Sequence, residues 1–427
     1  MTPEAELRAF FDIAVQRALP SHVVPAHLPA PPKGRTVVVG AGKASAAMAF
    51  ALEEAWPPDA PLCGLVITRY GHVPPAGSPR RGAIMVAEAR HPVPDDAGVR
   101  ATQQMLGYLK GLTADDLVIS LISGGASALM IAPAEGLTLA DKQAVNESLL
   151  ASGAPISQMN IVRKHLSRVK GGQLAAAAAP APVLSLMISD VPGDDPALIG
   201  SGPTVGDNST PAEALAILDH WKIAVAAQVR AVLSRPGRVL APSDPRLLRV
   251  ANRIIAAPSQ SLAAAADLAT GLGGDVHMLG DTIEGQARDV ACAHAQLALQ
   301  VQAGLMPSAK PVFLLSGGEL TVTRRGDGIG GPNAEYCLAL ALALRGAPGI
   351  HALAADTDGV DGAAEVAGAQ VSPQTLTWAQ ARGLDPAAML DRNDAHSFFA
   401  GIGQQVLTGP TFTNANDFRA IRIEISA

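Results

Sequence analysis

Short apolar runs alternate with helical segments through the first half of the chain, which confines it to a parallel sheet covered by helices. The runs Thr36–Val39, Gly64–Thr68, Ile84–Ala87, Leu117–Ile122 and Val183–Ser189 are the expected strands, with amphipathic helices such as Ala44–Trp56 and Ala97–Leu109 between them. Ser234–Pro245 concentrates Pro, Gly and Ser and reads as a linker. After it the pattern restarts with strand Arg253–Ala257, helix Ser259–Leu272, strand Val276–Leu279 and helix Glu284–Ala303. Strand Val312–Leu315, a hairpin partner Glu319–Arg324 and helix Asn333–Leu344 follow. The expectation is two α/β domains, 1–238 and 239–427, since 427 residues exceed what one core usually serves.

Composition narrows the function classes. A net charge of −6 and 3% aromatic residues argue against a nucleic-acid surface, though not against a nucleotide ligand, which needs only local donors. Cys63, Cys292 and Cys337 form no CxxC and read as reduced core residues. Leu7, Phe10, Phe11 and Ala14 make a helical stripe where a secretory signal would need a basic and then an apolar run. The most apolar stretch, Leu174–Ile188, is broken by Pro180 and Pro182, so no membrane span is expected and the cytoplasm is the expected compartment.

Two turns point to anion chemistry. Val37–Ser45 (VVVGAGKAS) is strand, glycine turn, lysine and helix. Gly40 and Gly42 let backbone amides approach an anion, and Lys43 adds a point charge. The spacing is not that of a P-loop, and Ser45 stands where a dinucleotide fingerprint has its third glycine. A plain strand–helix turn with an exposed lysine is the alternative. In the second turn, Ser123–Leu129 (SGGASAL), small residues after a buried strand leave room for phosphates or, equally, for close helix–strand packing. Leu117–Gly125 and Val312–Gly318 both end an apolar strand in Ser-Gly-Gly.

Ile156–Ala175 reads as a helix ending at Gly171–Gly172, with Arg163, Ser167 and Lys170 on one face, able to hold a carboxylate or simply solvated. Acidic loops follow two strands, Ile188–Asp195 (ISDVPGDD) and Ala355–Gly362 (ADTDGVDG). Asp190, Asp356 and Asp358 suit a hard cation such as Mg²⁺, although Asp-Gly pairs are also ordinary turn formers. Arg325–Glu335 (RGDGIGGPNAE) fits a flexible lid or phosphate loop. His91, in ARHPVPDD, reads as a structural histidine.

With these residues in place, the chain resembles the glycerate 2-kinase family, whose C-terminal part is the MOFRL domain and some of whose bacterial members are called hydroxypyruvate reductase. The matching segments run in order: VVVGAGKAS, ARHPVPDDAG, ISGGASALM, NIVRKHLSRVKGGQLA, ISDVPGDD, IGSGPTVGD, LLSGGELTV, DTDGVDG and GPTFTNAND. The resemblance implies a Rossmann-like N-terminal domain with a mostly parallel sheet, a MOFRL α/β domain with a mixed sheet, and a cleft between them. It implies ATP and Mg²⁺ as cosubstrates, D-glycerate as acceptor at its 2-hydroxyl, and Lys43 and Asp190 as catalytic residues. Gly40, Gly42, Ser123, Gly124, Gly125, Ser127, Gly317, Gly318, Glu319 and Asn333 would line the nucleotide. Arg163, Lys164 and Asp358 would meet the substrate, and Asp190, Asp356 and Asp358 the metal. A homodimer is also expected.

Two positions depart from the family pattern. Pro332 stands where the glycine-rich loop often has an arginine, removing a charge and an N–H, and Phe412 replaces a small residue in GPTxTNxND. Two other readings stay open: an NADPH-dependent hydroxypyruvate reductase, with Thr68–Arg69 closing the second strand, and a non-catalytic binder of a phosphorylated sugar acid.

Overall fold

The computed structural model describes residues 1–425 except 76, 79, 307–309 and 363. The chain divides into two units, Pro20–Ile255 and a second made of Met1–Leu19 with Ala256–Ala427.

In the first unit six strands form one sheet: β1 (Thr36–Ala41), β2 (Leu62–Arg69), β3 (Ile84–Ala89), β4 (Leu117–Ile122), β5 (Val183–Ile188) and β6 (Val250–Ala256). Their order is β3-β2-β1-β4-β5-β6, that of a doubly wound sheet. Strands β1, β4 and β5 are buried on both faces, as a sheet covered by helices on each side requires. The five strands expected in this half are present at the expected places. Helix starts are set locally: Asp95 caps Asp96–Tyr108, while Thr138 and Thr210 form capping boxes with Asp141 and Glu213.

The strand expected to open the second domain is instead β6, the edge strand beside β5. The stretch read as a linker is therefore held within the first unit, where Leu240 N–H bonds to the Gly171 carbonyl and Asp207 N–H to the Leu240 carbonyl. The helix expected over Ile156–Ala175 stops at His165 and a separate one runs Gln173–Ala178. Between them the backbone pairs with 132–134, through Ala134 N–H to Leu166 O and Arg168 N–H to Ala132 O. That pairing outweighs the helical periodicity, so Arg163 and Lys170 do not share a helix face.

The second unit holds β7 (Asp275–Gly280), β8 (Gly285–Gln286), β9 (Val312–Gly317), β10 (Leu320–Thr321), β11 (Ile350–Asp356), β12 (Gly368–Val371), β13 (Gln405–Val406) and β14 (Asp417–Ile423). The main sheet is mixed, in the order β13-β12-β11-β14-β9-β7, with β14 antiparallel to both neighbours and β7 parallel to β9. β10 pairs in parallel with β8, so it is not the expected hairpin partner of β9. Helix Pro3–Arg17 belongs here: Phe10 meets Phe313 edge-on at 5.0 Å, and Phe11 lies 6.1 Å from Phe418. On the other face, helix Pro332–Leu344 is buried along almost its whole length, its apolar positions filling every side.

Candidate active site

In the first unit, four neighbouring strands deliver site residues at their C-terminal ends. Arg69 ends β2, Gly42 and Lys43 follow β1, Ser123–Gly125 follow β4, and Asp190 lies just past β5. The crossing from the β1–β2–β3 half to the β4–β5–β6 half falls between β1 and β4, where doubly wound sheets bind ligands. The turns GAGK and SGG are thus juxtaposed. Lys43 N–H bonds to the Gly124 carbonyl at 2.8 Å, Ala44 N–H to Ser123 Oγ at 3.0 Å, and Ser45 Oγ to the Leu121 carbonyl at 2.9 Å.

The glycines serve close approach. A side chain on Gly42 would run into Ser123. Gly125 has φ +83°, and an ideal Cβ on it would lie 3.1 Å from His91 Cδ2 and 3.5 Å from Lys43 Cγ. His91 therefore stands against the same turn as Lys43. Sequence reasoning had set it aside as structural, and its place in the motif ARHPVPDD was the available signal. Thr68, half of the dinucleotide rationale, is fully buried and donates its hydroxyl to the Lys43 carbonyl at 3.2 Å.

Behind the second turn lies a buried cationic group. Lys164 pairs with Asp207 at 2.5 Å, so this expected substrate contact already has an internal carboxylate. Burial alone would raise the Asp207 carboxyl, but Lys164 and Ser209 bring it below the usual range. Arg163 Nε donates to Asn146 Oδ1 at 2.8 Å, and burial lowers its guanidinium. Lys142 Nζ donates to the Leu166 carbonyl at 3.0 Å, and burial, assisted by Arg163, pushes its ammonium down to about 7. Lys170 Nζ donates to the Ser127 carbonyl at 2.8 Å and to its Oγ at 2.9 Å.

In the second unit acids gather at one edge of the mixed sheet. Asp356 at the end of β11 sits opposite Asp417 at the start of β14, and Asp358 and Asp361 follow in the next turn. Asp358 N–H bonds to Asp356 Oδ1 at 2.9 Å, and Val360 N–H to Asp358 Oδ1 at 2.8 Å. Asp361, one of the DTDGVDG acids, and Asp417, which the sequence reading does not single out, are as buried as Asp358 or nearly so. Asp361 accepts the amides of Asn333 and Ala334 at 3.0 and 2.8 Å and faces His396 Nε2 at 3.0 Å. Asp417 accepts from Asn333 Nδ2 at 2.6 Å and pairs with Arg419 at 3.3 Å. Burial pushes the Asp417 carboxyl up to about 6, against the pull of Arg419 and Asn333 and with Asp361 and Asp358 adding to the push. Asn333 thus has both side-chain N–H donors engaged within this network.

The two Ser-Gly-Gly turns are not equivalent. At Gly317 and Gly318 the carbonyls, not the amides, are met by a buried group, the Arg419 guanidinium. Gly318, at φ +97°, has the Ile283 backbone against it, and Glu319 leads directly into β10. The loop 325–331 is fastened rather than free. Asn393 Oδ1 accepts the amides of Arg325 and Gly326 at 2.6 and 3.0 Å, and Asp394 Oδ1 accepts that of Ile329 at 3.1 Å. Pro332 occupies the first turn of its helix, where its missing N–H costs nothing, and Phe412 adopts φ +62°.

Carboxylate oxygens at 190, 356 and 358 are the hard donors that Mg²⁺ prefers. Among the described residues, however, no group of three or more His, Cys, Asp or Glu side chains could hold a metal ion. Taken unit by unit, Asp190 in the first and Asp356 with Asp358 in the second supply the one or two carboxylates that Mg²⁺ takes when water and phosphate oxygens complete its shell.

Sheet order and switch-point turns place the chain in the class of doubly wound α/β proteins carrying a second, mixed-sheet unit. Two family profiles match it: "Domain of unknown function (DUF4147)" over residues 6–234 and "MOFRL family" over residues 312–417. A D-glycerate 2-kinase of Thermotoga maritima is 35% identical over 407 residues, covering 95% of this chain and 94% of that protein. A protein of Agrobacterium vitis that carries hydroxypyruvate reductase as a provisional name is 50% identical over 421 residues, covering 98% and 94%. The crystal structure of a glycerate kinase from Thermotoga maritima superposes with a TM-score of 0.86 at 33% identity, covering 99% of each chain. The chain belongs to this MOFRL-containing glycerate kinase family. No helix among the described residues is long and apolar enough to cross a membrane.

Proposed function

We propose that the chain is an ATP-dependent D-glycerate 2-kinase, transferring the γ-phosphoryl group to the 2-hydroxyl of D-glycerate to give 2-phosphoglycerate and ADP. The observation that carries this reading is the meeting of GAGK and SGG at the β1/β4 switch point, with Lys43 and His91 both against Gly125. Family membership with proteins named glycerate kinase supports it.

In-line phosphoryl transfer asks a protein mainly for positioning and charge neutralisation. Lys43 supplies a cation on a turn whose backbone is fixed by Ser123 and Gly124, so little reorganisation is needed when negative charge develops. Ser123, Gly124, Gly125 and Ser127, with Gly40 and Gly42, are assigned to the nucleotide phosphates. Gly317, Gly318 and Asn333 keep their proposed nucleotide role only through the shape of their turns, since Arg419 and the acids hold much of their polarity, and Glu319 keeps the same assignment. Arg163 is assigned to the acceptor's carboxylate, with Lys164, tied to Asp207, shaping that wall. Asp190 is assigned to take the hydroxyl proton. Bound at Asp190, Asp356 or Asp358, Mg²⁺ would supply neutralisation of phosphate charge. A cytoplasmic homodimer is part of the same proposal.

The reductase is the second reading, favoured by the name of the Agrobacterium vitis relative. One experiment separates them: purified protein is given D-glycerate, ATP and Mg²⁺, and in parallel hydroxypyruvate and NADPH. ADP with 2-phosphoglycerate upholds the kinase, NADPH consumption the reductase, and neither product a binding protein.

A further inference from the structure

Lys170 is 2% exposed, and among the described residues its ammonium meets only Ser127, through the carbonyl and the hydroxyl, with no carboxylate paired to it. A buried amine in that position works against the fold, because two hydrogen bonds to neutral oxygens offset only part of its desolvation. Burial, and then the cations Lys142, Arg163 and Lys164, hold its titration well below the ordinary lysine range.

A strained residue meets the same hydroxyl. Ser127 Oγ lies 2.9 Å from Ser201 Oγ, either of which can be the donor. The Ser201 contact to Asn160 Oδ1 is long at 3.4 Å, so Ser201 can turn its proton to Ser127 and leave the Ser127 proton to a ligand. Ser201 reaches it from a left-handed conformation, φ +64°, between Gly200 at +60° and Gly202 at +62°. For a serine this conformation costs about 1–2 kcal/mol. A second left-handed pair, Gly171 and Gly172, locks that strap through amides donating to the Ser201 and Gly202 carbonyls at 3.2 and 2.8 Å. Two costly devices, an unpaired buried amine and a left-handed serine, thus converge on one half-buried hydroxyl in the Ser123–Leu129 turn. Strain concentrated in this way is retained where a ligand-facing group must be held.

We propose that Lys170 is a positioning residue for the nucleotide phosphates, acting through Ser127, which it and Ser201 hold from behind. The assignment deepens the kinase reading and rests on it.

The test is a double-mutant cycle on the full chain with Ser127→Ala, Lys170→Met and the pair. The readouts are calorimetric affinity for adenylyl imidodiphosphate with Mg²⁺, thermal midpoint, and KM for ATP and for glycerate. Each single change is expected to weaken nucleotide binding about 10- to 100-fold, the range of a hydrogen bond to a charged group. The double variant is expected to bind no worse than Lys170→Met alone. KM for ATP rises while KM for glycerate stays put, and Lys170→Met melts no lower than the wild type. Additive losses, or a lowered midpoint with intact nucleotide affinity, overturn the proposal and leave Lys170 a structural residue. Ser201→Ala keeps Lys170 in place and guards against a misfolded variant: it too must weaken binding, and unchanged affinity in both serine variants overturns the proposal. Wild-type protein that binds nucleotide but phosphorylates no glycerate sinks the kinase reading while the cycle still decides Lys170. No nucleotide binding at all sinks both.

Discussion

Lys142→Met should stabilise the protein, and by an amount that shrinks as pH rises. Lys142 lies in helix Leu139–Ser152, and its ammonium is buried against the Leu166 carbonyl that ends helix Ile156–His165. Lowering its titration from 10.5 to about 7 corresponds, at about 1.4 kcal/mol per pH unit, to a ceiling of about 5 kcal/mol. The folded state resists the proton, so between pH 7 and 10.5 the unfolded chain binds more protons and stability climbs with pH. Below pH 7 both states are charged and the whole penalty applies. Methionine escapes it but forfeits the hydrogen bond, worth about 1 kcal/mol. The variant should therefore gain about 4 kcal/mol at pH 6.5, falling to about 1 kcal/mol near pH 9. Urea unfolding followed by peptide-resolved hydrogen exchange reads the 20–255 unit on its own. A variant less stable than the wild type at pH 6.5, or a wild-type stability flat from pH 7 to 10, would refute the reasoning.

Lys43→Ala should lower glycerate kinase turnover by orders of magnitude while circular dichroism and the thermal midpoint stay unchanged; near-normal turnover removes Lys43 from the mechanism. Gly125→Ala forces a side chain into φ +83° and into the His91 ring, costing about 1–2 kcal/mol in urea unfolding, and should lower kcat/KM by more than that loss of stability accounts for. Arg345→Gly should raise stability by about 1 kcal/mol, since Arg345 ends helix Pro332–Leu344 at φ +52°; a lower unfolding midpoint would count against it.

The first sheet was legible because β1, β4 and β5 are continuous apolar runs bounded by turns, and the two anion turns because glycine and small residues mark close approach. What stayed hidden depended on partners distant in sequence. Nothing local in Arg253–Ala257 tells which sheet that strand joins. The helical period through Leu166–Lys170 was real, but strand-like pairing with 132–134 overrode it. At the acidic edge, Asp358 was found because it sits in a dense motif, whereas Asp417 and Arg419 matter only once β14 is laid beside β9 and β11. The glycines of 325–331 suggested freedom. They instead allow the loop to lie against 392–394, whose atoms occupy the space a Cβ on Gly326, Gly328 or Gly330 would need.

Helix Pro3–Arg17 belongs to the unit otherwise built from 256 onward, which has a consequence for synthesis and dissection. The segment Pro20–Ile255 is continuous and can complete its sheet as it leaves the ribosome, whereas the other unit must recover a helix made some 250 residues earlier. Closing contacts across that span is slow in entropic terms. A fragment starting at Ala256 would leave Phe313 and Phe418 without Phe10 and Phe11, and the bare aromatic surface would favour aggregation.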